Sequence, residues 1–348
     1  MKKRYWGLAI LAAIIIAILI IPPKADPIEL QGYLGGEKSG LLASTAFKEE
    51  MADEHQLTFD YKILGSYKMV QTDYSSQDYL FPSSQLALEL FERGGGTAVN
   101  DEIIFNTPIV LYSRKPIVDA LMQEGIVSER EGVYYVDMEK LARKMADGVS
   151  WQAIGLSQLH GNLLVDTTDP NESNSGNMFL GVLANALNGN QTVNMSTVAN
   201  IEEDLKKIYD SLGYMQTSSS DMFTQFLRQG IGAFPIIAGY ESQWLEFSKQ
   251  EHEVYSSVKD DIYMLYPEPT VWSSHVYIAL IEEAERGIDA LLDPDIQEMA
   301  WKEHGFRTIV SGSSDSDEFD VNGLADEITQ IIPMPDIETM LYLMDIIQ

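Results

Sequence analysis

The five histidines, at positions 55, 160, 252, 275 and 304, are the natural candidates for proton-transfer or metal chemistry. None pairs with another at metal-ligand spacing, and no H-E-x-x-H run occurs. The chain also lacks a G-x-S-x-G nucleophile elbow, a Walker loop, and a G-x-G-x-x-G turn after a strand. It contains no cysteine, which removes disulfides, thiolate zinc sites, cysteine nucleophiles and lipid attachment at a lipobox. Catalysis has little to rest on, so the chain reads as a non-enzyme that needs no cofactor and no metal.

What recurs is a pattern suited to binding. Lys38-Ser39-Gly40 and Asn174-Ser175-Gly176 each follow a strand-like segment and open a helix, and Pro82-Ser83-Ser84 opens a third. The start of a helix presents unpaired backbone N–H groups and about half a positive charge, which suits an anion. A glycine lets a ligand approach the backbone, and a serine hydroxyl adds a hydrogen bond. Taken singly, Ser39, Ser83, Ser173 and Ser175 read as ordinary N-caps, where serine is favoured in any case. Two such turns in matching places point to a shared cleft. Asp166, Asp169 and Glu172 could offer oxygen ligands to calcium, but their spacing is not that of an EF-hand, and Asp169-Pro170 reads as turn chemistry. The run Ser313–Asp320 reads as a solvated loop. Tyr263, Tyr266, Trp272 and Trp301 read as core aromatics before cleft ones.

These turns need elements to hold them. The 348 residues suggest about two domains at roughly 100–200 residues each. Ile28–Tyr33 and Leu57–Leu64 read as strands, with a helical stretch from Leu41 to His55 between them. A helix follows Pro82-Ser83-Ser84 and stops at Gly94-Gly95-Gly96. Glu102–Tyr112 reads as a buried strand broken by Pro108, a residue that suits a crossing between lobes better than a sheet centre. A second set holds helices at Ile117–Glu124 and Met138–Asp147, a strand at Asn162–Val165, and a helix at Asn177–Leu187. It continues with helices near Ile201–Ser211 and Ser220–Arg228 and a strand at Ala233–Ala238. Ile262–Tyr266 is expected to return the chain to the first lobe, ahead of helices at Ser274–Arg286 and Pro294–His304. The alternation argues α/β architecture with largely parallel sheets. Lys24–Pro27 and Ser311–Asp320 are the linker-like segments.

Charge and the N-terminus set the surroundings. With 53 acidic against 23 basic side chains, the net charge is −30, a surface that would repel nucleic-acid phosphates. Met1-Lys2-Lys3-Arg4 precedes a low-polarity run from Tyr5 to Ile21, at the short end of the roughly 17–25 residues a membrane span needs. It reads as an uncleaved anchor with a cytoplasmic basic tip and an exported body, a cleaved signal being the alternative.

The order of motifs resembles bacterial extracellular solute-binding proteins of the type II periplasmic-binding fold, in the sulfate- and molybdate-binding branch. The resemblance runs over most of residues 28–348. It rests on Gly32–Gly40, Pro82-Ser83-Ser84, Asn106-Thr107-Pro108-Ile109-Val110, Thr168-Asp169-Pro170 through Gly176, Tyr240-Glu241 and Tyr266-Pro267-Glu268-Pro269-Thr270. The tail Ala300–Arg307 is similar to a solute-binding group that sometimes carries an added von Willebrand A domain. The resemblance implies a two-lobed clamshell with two crossover strands, behind an anchor and linker at 1–27. Lobe one is then 28–108 plus 262–348, and lobe two is 109–261. It implies ligand contacts from Glu37, Lys38, Ser39, Ser83, Ser84, Ser173, Asn174, Ser175, Gly176 and Tyr240. The implied ligand is a small polar solute, an oxyanion first, delivered to a permease or reported to a von Willebrand A-type partner. Two features depart from the pattern: there is no lipoprotein cysteine, and Glu37 sits where an anion would not welcome it unless Lys38 neutralises it. A surface interaction or scaffold protein on a degenerate binding fold is the alternative.

Overall fold

The computed structural model describes residues 26–309 and 314–348. The expected anchor and its basic tip lie outside the described residues. Among those described, no helix is long and apolar enough to cross a membrane.

Among the described residues ten strands carry the fold: Ile28–Leu34 (β1), Leu57–Ile63 (β2), Tyr79–Phe81 (β3), Asn100–Arg114 (β4), Val127–Arg130 (β5), Val133–Asp137 (β6), Ile236–Tyr240 (β7), Ile262–Glu268 (β8), Trp272–Ala279 (β9) and Arg307–Thr308 (β10). β1 lies between β2 and β3, parallel to both. Parallel neighbours need crossovers, and here these include the short helices Ser39–Ala43, Thr45–Glu50 and Ser66–Gln71. The unbroken helix expected from Leu41 to His55 is instead interrupted at Ser44, whose hydroxyl caps the second segment through Phe47 N.

β4 belongs to both parts of the sheet. Its first part runs antiparallel to β9, with Pro108 opposite Trp272, and β9 returns to β3. From Ile109 the strand takes new antiparallel partners, β7 and β8. The partner change therefore falls at Pro108, which has no N–H to give to a ladder. β8 continues to β6 in parallel, and β6 closes on β5 as a hairpin. The sheet thus has two parts joined through β4, termed the first lobe (β1, β2, β3, β9 and β10) and the second lobe (β5 to β8) with their flanking helices. Because β8 pairs with the second part of β4, Ile262–Tyr266 stays in the second sheet, and the chain returns to the first sheet between β8 and β9.

Several local expectations need correction. The sheets are mixed rather than largely parallel, since every β4 and β9 pairing is antiparallel. Ser274–Arg286 is not a helix. Its first six residues, Ser-His-Val-Tyr-Ile-Ala, belong to β9, and helix resumes only at Glu285–Leu291. Asn162–Val165 contributes a single bridge, Ser150 to Asn162, rather than a strand. The β5–β6 hairpin was not foreseen, because its turn places Glu131 as well as Gly132 at positive φ, a geometry usually signalled by Asn-Gly or Asp-Gly.

The helix Asn174–Leu187 is buried on every face, as expected of a helix apolar all round. The C-terminal helix Ile337–Ile346 packs on it and on the helices Gln85–Arg93 and Glu202–Leu212, so the tail touches elements of both lobes. Arg307 in β10 makes a bidentate pair with the fully buried Glu241, through Nε at 2.7 Å and a terminal nitrogen at 2.8 Å. Tyr266 donates to the same carboxylate at 2.5 Å. This buried node, completed by Arg307 donation to the Ala325 and Asp326 carbonyls, fastens the segment before the C-terminal helix to β8 and β10.

Candidate functional site

The site is assembled by loops at the carboxyl end of β1 and β3, by the start of β9, and by two helix starts of the second lobe. β1 ends at Leu34, and the turn Gly36–Lys38 then directs two side chains inward. Lys38 is wholly buried. Its ammonium donates to Glu37 Oε1 at 2.7 Å and to Ser83 Oγ at 2.7 Å, lies 3.2 Å from His275 Nδ1, and sits 4.7 Å from the centre of the Phe81 ring. Burial holds the Lys38 pKa below its ordinary value, opposed by the Glu37 charge. His275 on β9 is held well below the usual imidazole range by burial and by Lys38, so its ring is neutral. With Lys38 donating to Nδ1, the ring proton belongs on Nε2, which is buried without a partner among the described residues.

The second lobe meets this cluster through Asn174. Its Nδ2 donates to the Ser83 carbonyl at 2.9 Å, to the Tyr240 hydroxyl at 3.0 Å, and more weakly to Ser273 Oγ at 3.3 Å. Ser273 donates to the same Ser83 carbonyl at 2.7 Å. Tyr240 is buried, and burial together with the Glu37 charge keeps its hydroxyl well above the usual phenol range, hence neutral. Ser175 is buried, its hydroxyl 2.8 Å from Thr168 Oγ1 and 3.1 Å from Ser173 Oγ. Gly176 lies so close to the Thr168 carbonyl that an added Cβ would overlap it, which explains glycine there.

Beside these contacts lies a cavity of about 290 Å³. The first lobe lines it with Gly35–Glu37, Ser39 and Ile63–Ser66, the second with Glu172–Asn174 and Thr217–Asp221. Two helix starts open on it. The helix Asn174–Leu187 has Ser173 at its N-cap without a side-chain cap bond, so its first-turn amides are left for another acceptor. The helix Ser219–Gln229 is capped by Ser218, which accepts from Asp221 N. Glu172 on the lining is paired with Lys68 at 3.1 Å.

Of the residues expected at the ligand, Glu37, Ser39, Ser173 and Asn174 border this cavity. Lys38, Ser83, Ser175, Gly176 and Tyr240 form its buried support. Ser84 caps the helix Gln85–Arg93 through Leu86 N and faces a different hollow, with Trp272 and Met334. Sequence reasoning did not place Ser66, Thr217–Asp221, Ser273 or His275 at the site, although His275 was among the histidines considered for chemistry. The run Thr217-Ser218-Ser219-Ser220 carried a visible signal, the same hydroxyl-rich helix start as at Ser173, but no strand precedes it. Asp169 Oδ1 accepts from Asn171 N at 2.8 Å, so that carboxylate shapes its own turn. No group of His, Asp and Glu able to hold a metal occurs among the described residues. A wider recess of about 710 Å³ lies around Trp272, Arg307 and Asp326, and its arginine is already engaged by Glu241.

No family model matches the chain, and no curated protein matches it in sequence. In structure it is similar to a periplasmic thiamin binding protein, with a TM-score of 0.61 at 9% identity over 94% of this chain and 98% of that one. It is also similar to the periplasmic binding protein AfuA of Actinobacillus pleuropneumoniae with bound fructose-6-phosphate, at TM-score 0.58 and 11% identity over 91% and 96% of the two chains. Iron-bound HitA of Pseudomonas aeruginosa aligns with a TM-score of 0.57 at 11% identity over 92% and 99%. The chain therefore has the type II periplasmic-binding fold. The molecules named with these neighbours are a vitamin, a sugar phosphate and iron, so the fold leaves the ligand to the site.

Proposed function

We propose that the chain is an extracytoplasmic solute-binding protein without catalytic activity, tethered by its N-terminal segment. It holds a small polar solute between its lobes for a membrane permease or, in sensing, for a von Willebrand A-type partner. The observation that carries this is the cavity of about 290 Å³, walled by loops of both lobes and opening on two helix starts. An oxyanion group of the solute is the part that free first-turn amides and serine hydroxyls favour. Glu37 does not oppose this outright, because Lys38 supplies its counter-charge from behind. The solute-binding neighbours support the same class, and closure by hinge bending at β4 and between β8 and β9 fits two lobes joined by two strands.

A second reading, a surface interaction protein on a degenerate binding fold, is favoured by one observation. Lys38, Ser83, Asn174 and Tyr240 already satisfy much of each other's hydrogen bonding. A thermal-shift screen of protein unfolded and refolded to strip carried solute separates the two readings. The panel holds phosphate, sulfate, molybdate, amino acids, polyamines and sugars. A solute at 100 times its Kd stabilises by about 2.7 kcal/mol, so one saturable shift supports the receptor. No shift in a sample that unfolds cooperatively supports the interaction protein.

A further inference from the structure

Two residues on the wall of the cavity, Asn174 and Glu37, each carry an acceptor oxygen with no hydrogen-bond donor among the described residues. Asn174 is 7% exposed, and its amide orientation is fixed because the Ser83 carbonyl 2.9 Å away can only accept. That puts Oδ1 on the other side, where it is buried with no partner. Glu37, with a side chain 8% exposed, gives Oε1 to Lys38, while its Oε2 accepts no hydrogen bond among the described residues. Asp221 adds a carboxylate to the same lining, and no cation pairs with it among the described residues. A buried polar atom is almost always satisfied, so Asn174 Oδ1 marks what an incoming molecule must bring, with the Glu37 and Asp221 carboxylates as further acceptors on the same lining.

We propose that the solute carries an ammonium group as well as its oxyanion. Glu37 Oε2 and Asn174 Oδ1 hold the ammonium, and the amides at the helix starts hold the anionic end. The ligand class is thus a small zwitterion of the amino-acid or aminosulfonate kind. An ammonium meets a carboxylate with a charge-assisted bond that a hydroxyl cannot equal. The volume is that of about ten waters at roughly 30 Å³ each, which suits a molecule of this size. The inference rests on the cavity being the solute site.

The test is titration calorimetry on the refolded protein with the standard amino acids, β-alanine and taurine. Each binder is compared with its amine-free partner, such as propionate for β-alanine and ethanesulfonate for taurine, with the corresponding hydroxy acid, and with inorganic sulfate. The expected result is at least tenfold tighter binding of a zwitterion than of its amine-free and hydroxyl partners, reduced below threefold in Glu37→Gln. Glu37→Gln also strips Lys38 of its counter-charge and can lower stability, so the isostere comparison in the wild-type protein stands on its own. Binding of sulfate or an amine-free acid within threefold of the zwitterion overturns the ammonium site and leaves the solute-binding reading intact. Silence across the whole panel overturns the zwitterion and leaves the solute-binding reading to the wider thermal-shift screen.

Discussion

Lys38→Met probes the buried centre of the site with the least disturbance to packing, because methionine keeps the unbranched stem and removes only the ammonium. The change deletes donations to Glu37 Oε1 and Ser83 Oγ, each at 2.7 Å, and leaves His275 without its neighbour at 3.2 Å. Glu37 then keeps a charge in a place where its side chain is 8% exposed. Removing one member of a buried pair costs about 3–5 kcal/mol. Here part returns, because desolvation of Lys38 no longer opposes folding and Glu37 borders the cavity, so the net loss is about 2–3 kcal/mol. Replacing both members, in Lys38→Met with Glu37→Gln, leaves about 1 kcal/mol or less, since a buried pair exchanged for uncharged groups is often neutral. Urea unfolding of the four proteins closes the cycle. A single Lys38→Met loss under 1 kcal/mol, or a double variant no more stable than that single one, would refute the reasoning.

Burial pushes the Asp166 carboxyl up to about 7 from an ordinary 3.8. The folded state therefore holds this proton more tightly than the unfolded chain does. Its contribution is complete below pH 4 and drains away as pH rises through 7. Asp166→Asn should match the wild type near pH 4 and exceed it by about 1–3 kcal/mol at pH 8, and equal stabilities at both pH values would contradict the assignment. Gly65 in the first lobe approaches the Glu172 carbonyl of the second so closely that an added Cβ would overlap it. Gly65→Ala should hold the lobes apart, increase the radius of gyration seen by X-ray scattering, and weaken solute binding at least tenfold. An unchanged scattering curve with wild-type affinity would show that the two loops yield.

The parts of the fold legible in the sequence were those with local causes. Alternating apolar residues marked β2, Pro108 marked the place where β4 changes partners, and the serine-rich turn at 173–176 marked a helix start. β9 was illegible because Ser274–Ala279 runs without a turn signal into a helix-favouring Glu-Glu-Ala-Glu-Arg segment, so the two periods merge. The burial of Lys38 has no local signal at all. Its partners Ser83 and His275 are 45 and 237 residues away, and a lysine beside a glycine-rich turn reads as exposed until the fold brings them together. Asn174 shows the same limit. Its helix-start position could be read, but its role in bridging Ser83, Ser273 and Tyr240 depends on three distant segments.

The central claim is that solute binds in the cavity between the lobes, and Thr217→Trp tests it most directly. Thr217 is exposed and lines that cavity from the second lobe, outside the core, so an indole there fills the space with little effect on folding. Calorimetric titration of wild-type and Thr217→Trp protein with the solute found in the screen should give saturable one-to-one binding in the first. In the second, binding should weaken at least tenfold, with the thermal midpoint unchanged. Equal affinity in the two proteins would place the solute elsewhere and contradict the account.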